Sequence, residues 1–270
     1  MLIDKTLPGV TGVADRMPDS NGWYNHPLNI TWTGSDSLAG VASCNPPSSY
    51  SGPKEGLIAL TGHCADKAGN TGVGTFAFKF DITNPKITSS PQFANYTLNA
   101  QVFPQFQYTD ATSGISTCTV SAASVMPCSS FLSARLDTAA VGTHTYTIIA
   151  TDNAGNSATL VVSYNAQYKF GGFLSPISRT HFADGSTVSI KFQLFDTSSI
   201  PEGTAAAKIF VDDQPGVASG TSNTGNLFRY DPVTQQYVFN LSTKGVPTGL
   251  HTITIKLDDG TTHSITIRLV

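Results

Sequence analysis

Three short blocks recur in the same order along the first 165 residues, and they constrain the fold more than any other feature of this sequence. Asp4-Lys5-Thr6-Leu7-Pro8 returns as Asp81-Ile82-Thr83-Asn84-Pro85. Asp36-Ser37-Leu38-Ala39-Gly40, which leads to Cys44, returns as Asp110-Ala111-Thr112-Ser113-Gly114, which leads to Cys118. Asp66-Lys67-Ala68-Gly69-Asn70 returns as Asp152-Asn153-Ala154-Gly155-Asn156. The offsets are 77, 74 and 86 residues. Drift of that size fits loop insertions in a repeat of about 80 residues, and ordered self-similarity marks repeated structural units.

Each block has a local physical job. Proline fixes φ, so Asp-x-Thr-x-Pro reads as a short, stiff linker into the next unit. The Asp-x-x-x-Gly block breaks a strand with a turn at a residue that tolerates positive φ. Asp-x-Ala-Gly-Asn reads as a hairpin whose Asp accepts hydrogen bonds from turn N–H groups. Between blocks, apolar and polar residues alternate with the period of a half-buried strand. Leu28, Ile30 and Trp32 fall on one face; Phe76, Phe78 and Phe80 are read as inward, with Ala77, Lys79 and Asp81 outward; Tyr146, Ile148 and Ala150 form another inward row. Helices are disfavoured, because charged residues make up only 12% of the chain and Glu occurs only as Glu55 and Glu202. Short strands joined by Gly, Pro and Asn turns indicate an all-β fold of antiparallel sandwiches.

From about residue 167 the repeat stops and a different β unit begins. Val188, Ile190, Phe192 and Leu194 alternate with polar residues, as do Tyr237, Phe239 and Leu241. Ile253, Ile255 and Leu257 are expected to pair with Ile265, Ile267 and Leu269 through the turn Asp258-Asp259-Gly260-Thr261. Three domains result: 1–84, 85–166 and 167–270.

The ordered set of Asp-x-Thr-x-Pro, Asn21-Gly22-Trp23-Tyr24-Asn25, the Asp-x-x-(Ala/Ser)-Gly turn and Asp-x-Ala-Gly-Asn resembles the bacterial immunoglobulin-like (Big-type) repeats of secreted proteins, cell-surface proteins and adhesins. The resemblance covers residues 4 to about 166. The stretch Gly171–Pro176 with Ser186–Leu194 looks like the terminal β-sandwich module that follows such repeats. It implies tandem immunoglobulin-like β-sandwiches with Greek-key sheets in rod-like order. It also implies a non-enzymatic extracellular spacer or adhesive array within a longer surface or secreted protein. The alternatives are a carbohydrate- or protein-binding module beside a secreted hydrolase, and a domain on a phage or virion surface. Repeat two departs from repeat one: it lacks Gly-Trp-Tyr, and Ala150 stands where Cys64 stands.

The four cysteines allow three pairings. The repeat separates them two and two, which favours Cys44–Cys64 and Cys118–Cys128, with free buried thiols as the alternative. Paired cysteines imply an oxidising compartment. Calcium is the leading chemical expectation, since it seeks six to eight oxygen ligands. Asp36, Asp66 and Asn70 are expected to converge at one pole of repeat one, and Asp110, Asp152 and Asn156 at the same pole of repeat two, with Asp81 adding a ligand at the junction. The competing reading makes these residues turn acceptors only. Trp23 and Tyr24 form a candidate sugar platform, while Trp32 is read as core. Lys79 and Lys191 fall on polar faces, which argues against an isopeptide cross-link. Asn29, Asn95 and Asn240 lie in Asn-x-Ser/Thr sequons that chance produces in a Thr-rich chain.

Catalytic readings find no support in the pattern. None of His26, His63, His144, His181, His251 and His263 lies in a metal-binding or nucleophile-elbow motif. His144, His251 and His263 are read as outward strand residues. The net charge of −3, without a basic cluster, argues against nucleic acid. No apolar run reaches the ~18 residues of a membrane span. Met1-Leu2-Ile3 opens without a signal peptide, and the chain reads as a fragment of a longer protein.

Overall fold

The computed structural model describes residues 3–91, 93–122, 125–132, 135–177 and 181–270; Met1 and Leu2 lie outside the described residues. Repeat one contains β1 (Gly9–Ala14), β2 (Trp23–Tyr24), β3 (Leu28–Ser35), β4 (Val41–Cys44), β5 (Ser48–Tyr50), β6 (Gly56–Asp66) and β7 (Thr71–Phe80). They form two sheets, β1-β3-β5 and β2-β7-β6-β4. Pairing is antiparallel except where β2 runs parallel to the end of β7. This division of seven strands into three and four is an immunoglobulin-like arrangement. The alternation read from sequence sets the core. Leu28, Ile30 and Trp32 of one sheet pack with Tyr24, Ile58, Phe78 and Phe80 of the other. Burying one such side chain stabilises by roughly 1.5–3 kcal/mol. The Trp32 indole lies over Gly62, where any Cβ would collide with it. Its Nε1 donates to Ser48 Oγ at 3.0 Å, so the one polar atom of the ring is satisfied.

Repeat two contains β8 (Lys86–Ser89), β9 (Phe93–Thr97), β10 (Phe106–Thr109), β11 (Ile115–Ser121), β12 (Val125–Pro127), the short α1 (Cys128–Phe131), β13 (Gly142–Asp152) and β14 (Ser157–Gln167). β8 pairs with β10, β11 with β12 and β13, and β9 runs parallel to the end of β14. Cys118 stands opposite Ala150 in the β11–β13 register, as Cys44 stands opposite Cys64 between β4 and β6. The cross-strand cystine of repeat one therefore has no counterpart in place. Cys118 bonds to Cys128 at the start of α1 instead, and Cys44 bonds to Cys64.

The remaining strands are β15 (Lys169–Phe173), β16 (His181–Phe182), β17 (Thr187–Phe195), β18 (Ala207–Val211), β19 (Gln214–Pro215), β20 (Arg229–Asp231), β21 (Gln236–Ser242), β22 (Gly249–Leu257) and β23 (Thr262–Leu269). Their sheets run β15-β17-β21-β20 and β16-β23-β22-β18-β19. The core combines the expected rows of β17, β21, β22 and β23. Leu98 of repeat two is buried in this same core, and Val141 packs against it. The chain forms two compact units, residues 1–89, 106–130 and 147–161 in one and 90–105, 131–146 and 162–270 in the other. Repeat two contributes to both.

Four orientations differ from the alternation read in the sequence. His144, expected outward, shares the inward parity of Tyr146 and Ile148, and its ring stacks on Tyr164 at 5.2 Å between centroids. Asp81, expected outward, is fully buried, because it leaves β7 and turns into the next repeat. His251, also expected outward, is only 8% exposed and shares the inward parity of Ile253 and Ile255. His263 shares the parity of Ile265 and Ile267, and its ring stacks on Phe170 at 3.8 Å between centroids. The neighbouring Thr and Ser residues suggested a wet face, but strand parity sets the direction of each side chain.

Candidate functional site

Each repeat gathers three carboxylates at one pole. Asp4, Asp36 and Asp66 form one group and Asp81, Asp110 and Asp152 the other, with ligand atoms all within 4.8 Å of one another. The local chain explains each position. Asp36 Oδ1 accepts from Leu38 N and Gly40 N at 3.1 and 2.9 Å, closing the turn that ends β3. Asp110 Oδ1 does the same for Thr112, Ser113 and Gly114 N at 3.1, 2.9 and 2.8 Å. Asp66 and Asp152 open the β6–β7 and β13–β14 hairpins and accept from Asn70 N and Asn156 N at 2.8 and 2.9 Å. The Asn side chains then stitch the pole together. Asn70 Nδ2 donates to Asp66 Oδ2 at 2.7 Å and to the Asp4 carbonyl at 3.3 Å. Asn156 Nδ2 donates to Asp152 Oδ2 at 2.9 Å and to the Asp81 carbonyl at 3.0 Å. Asp4 Oδ2 accepts from Ala39 N and Asp81 Oδ2 from the equivalent Ser113 N, at 3.0 and 3.1 Å.

Asp36, Asp66 and Asn70 thus come together, as do Asp110, Asp152 and Asn156. Asp81 belongs with the repeat-two group. Its repeat-one counterpart, Asp4, was missed in the sequence, although the match between the Asp4 and Asp81 blocks carried the signal.

The two groups differ in electrostatics. Burial pushes the Asp81 carboxyl above its usual range, and the charges of Asp110 and Asp152 push further in that direction, against hydrogen bonds from Ser113 and Thr83. Burial also pushes Asp66 up, but hydrogen bonds from Asn70, Ala68 and Gly69 outweigh it and leave Asp66 below its usual range. Glu55 covers only the second pole: it accepts from Ile82 N at 2.9 Å, Thr83 Oγ1 at 2.9 Å and Thr112 Oγ1 at 3.3 Å. The first pole opens into a depression of about 340 Å³ lined by Ile3, Asp4, Leu38, Ala39, Lys67 and Ala68.

An all-oxygen set of three carboxylates suits a hard cation such as calcium. All the hydrogen bonds to the Asp36 and Asp110 carboxylates fall on Oδ1, so each Oδ2 has none among the described residues. A cation would supply countercharge to either group. The same oxygens also satisfy turn amides, which is the whole of their role if no cation binds.

The aromatic pair does not form a platform. Tyr24 is buried edge-on against Phe78 at 5.8 Å, with its hydroxyl donating to the Arg16 carbonyl at 3.1 Å. Trp23 points the other way, with the Lys79 ammonium 5.4 Å from its ring.

The histidines are engaged in structural contacts. His251 contacts Asp212 Oδ2 through Nδ1 and the Pro247 carbonyl through Nε2, both at 2.6 Å. His263 Nε2 lies 3.3 Å from Thr261 Oγ1, but that hydroxyl donates to Asp259 at 2.6 Å and has no proton to give the imidazole. His144 stacks on Tyr164, and His63 and His26 contact Asn45 and Asp19. No helix among the described residues is long and apolar enough to cross a membrane.

No protein-family profile and no curated protein matches this sequence. Among solved structures, the chain is similar to extracellular domains 3–5 of Drosophila OTK, with 14% identity over 98% of this chain and 92% of that one and a TM-score of 0.35. It is similar to the Escherichia coli adhesin FdeC, with 12% identity over 97% and 96% and a TM-score of 0.30. It is also similar to the fibronectin(III)-like modules of Clostridium thermocellum CbhA, with 14% identity over 68% and 94% and a TM-score of 0.25. At these scores the likenesses decide nothing about function, and the fold rests on the strand pairings above.

Proposed function

We propose that this chain is a non-enzymatic extracellular spacer of Big-type immunoglobulin-like repeats, with residues 1–84, 85–166 and 167–270 as successive domains that connect or present other parts of a bacterial surface or secreted protein. The observation that carries this reading is that the chain is fastened where one domain follows another. At the first seam, Glu55 of repeat one holds Ile82, Thr83 and Thr112, and Asn21 Nδ2 donates to the Asn153 carbonyl at 3.3 Å. At the second, Thr197 N donates to the Leu98 carbonyl at 2.9 Å and Asn99 Nδ2 donates to Asp196 at 3.1 Å. A spacer must hold its parts in a fixed order, and specific polar and apolar fastening serves that need.

The extracellular assignment is supported by cysteine usage. All four cysteines are in disulfides, which persist in oxidising compartments. The bound calcium of such an array would be held by the two carboxylate groups, which it would crosslink without taking part in any reaction.

Native-state hydrogen exchange tests the reading. The amides of Ser113 and Thr197, which donate across the two seams to Asp81 and Leu98, should exchange as slowly as those of the adjoining strands. Exchange at the rate of open loops would sink the spacer assignment, because the seams would then be unfastened in solution.

A further inference from the structure

The outer face of the β16-β23-β22-β18-β19 sheet carries basic side chains and rows of hydroxyls. Its residues include His181 of β16, Lys208 and Phe210 of β18, Leu250, Thr252, Thr254 and Lys256 of β22, and Thr262, Ser264, Thr266 and Arg268 of β23. Lys208 stands directly opposite Lys256 in the antiparallel register. Like charges directly opposed across a strand pair are destabilising. Only 15 Lys and Arg occur in 270 residues, so such a pairing is not forced by composition. Lys208, Lys256 and Arg268 form no ion pair among the described residues. The nearby carboxylates are committed at the margins: Asp212 to Thr252 N and His251, and Asp258 to Ala206 N.

Leu250, six residues before Lys256, stands opposite Arg268. At ~3.3 Å per residue, the lysine pair and the arginine are about 20 Å apart along the strands. Between them lie rows of hydroxyls, Thr254 with Ser264 and Thr252 with Thr266. We propose that this face binds an extended, carboxylate-bearing polysaccharide. The cations would meet the carboxylates at both ends, while the hydroxyl rows both donate to and accept from sugar hydroxyls. A nucleic acid fits less well, since the Phe210 ring on which a base would stack is covered by the Lys256 ammonium at 4.4 Å. This activity goes beyond the spacer reading and does not depend on it.

The test is titration of the full oxidised chain with polygalacturonate, its methyl ester and a DNA duplex, at low and high salt. Polygalacturonate should bind at low salt, weaken as salt screens the charges and lose at least about tenfold in affinity with Lys208→Glu. The neutral ester should fail, and DNA should bind more weakly. Lys208→Glu places opposite charges across the strand pair, so its unfolding midpoint should rise while binding falls, which excludes misfolding as the cause. Absence of binding at low salt, undiminished binding by Lys208→Glu, or equal affinity for DNA would each overturn the proposal.

Discussion

Repeats one and two carry the same three-carboxylate pole on the same hairpin, yet one pole is open and the other is closed. Asp4 is partly exposed beside Lys67, whereas Asp81 is fully buried beneath the contacts of Glu55. The difference shows what tandem joining does to an inherited turn motif. Where a preceding domain supplies a cover, a turn acceptor becomes a buried charge whose ionisation is costly.

The largest test of that contrast concerns the disulfides, which the repeats also use differently. Replacing Cys44 and Cys64 together by Ala, across a separation of 20, should cost about 3 kcal/mol in urea unfolding. The same change at Cys118 and Cys128, across a separation of 10, should cost about half a kcal/mol less. A reversed order would mean that unfolded-chain entropy does not govern the difference.

Next in size is Asp81→Ala, which leaves Thr83 N without its acceptor, removes one of the two acceptors of Ser113 N, and should destabilise by about 2 kcal/mol. Asp4→Ala, at the open pole, should cost less than about 1 kcal/mol on the same unfolding assay. Equal losses would erase the distinction between the poles.

Calcium sharpens it further. At about ten times its Kd, a cation that binds only the folded state adds about 1.4 kcal/mol per site to stability. Thermal midpoints should therefore rise from excess EDTA to millimolar calcium, and Asp152→Ala should remove the part that belongs to the second pole. Superimposable curves would leave both groups as turn acceptors.

The smallest effect is the pH dependence. Asp81 has a raised folded pKa, so the folded state holds its proton more tightly than the unfolded chain does. Stability should fall as pH rises from the ordinary aspartate value through the raised one, and Asp81→Asn should flatten that window. Asp66 has the opposite sign: its contribution is complete above the ordinary value and is lost as pH falls through its lowered one. Chemical denaturation across mildly and strongly acid pH separates the two windows.

Much of this was legible in the residues. Strand parity placed Leu28, Ile30, Trp32, Phe78 and Phe80 in one core, and the ordered repeat paired the cysteines. It also brought Asp36 to Asp66 and Asp110 to Asp152, because hairpin and turn motifs fix short-range geometry. What stayed hidden depends on contacts remote in sequence or on chain direction at element ends. Asp81 turns inward only because the chain leaves β7 there, and Glu55 matters through Ile82, Thr83 and Thr112, 27, 28 and 57 residues away. Leu98 reads as one more apolar residue near a turn, although it lies in a core built mostly from residues beyond 167. Tyr24 and Trp23 show a third limit, since adjacent strand residues point to opposite sides and cannot share a binding plane.

That Leu98 contact bears on how such a protein is inherited. A duplication or swap that cut the chain at residue 167 would uncover the apolar seat of Leu98 and Val141 and discard the partners of Asp196 and Thr197. A cut near Pro85 would sever the polar fastenings made by Glu55 and Asn21, which water can replace. Recombination should therefore tolerate exchange of repeat one while transmitting repeat two and the last domain as a single heritable cassette.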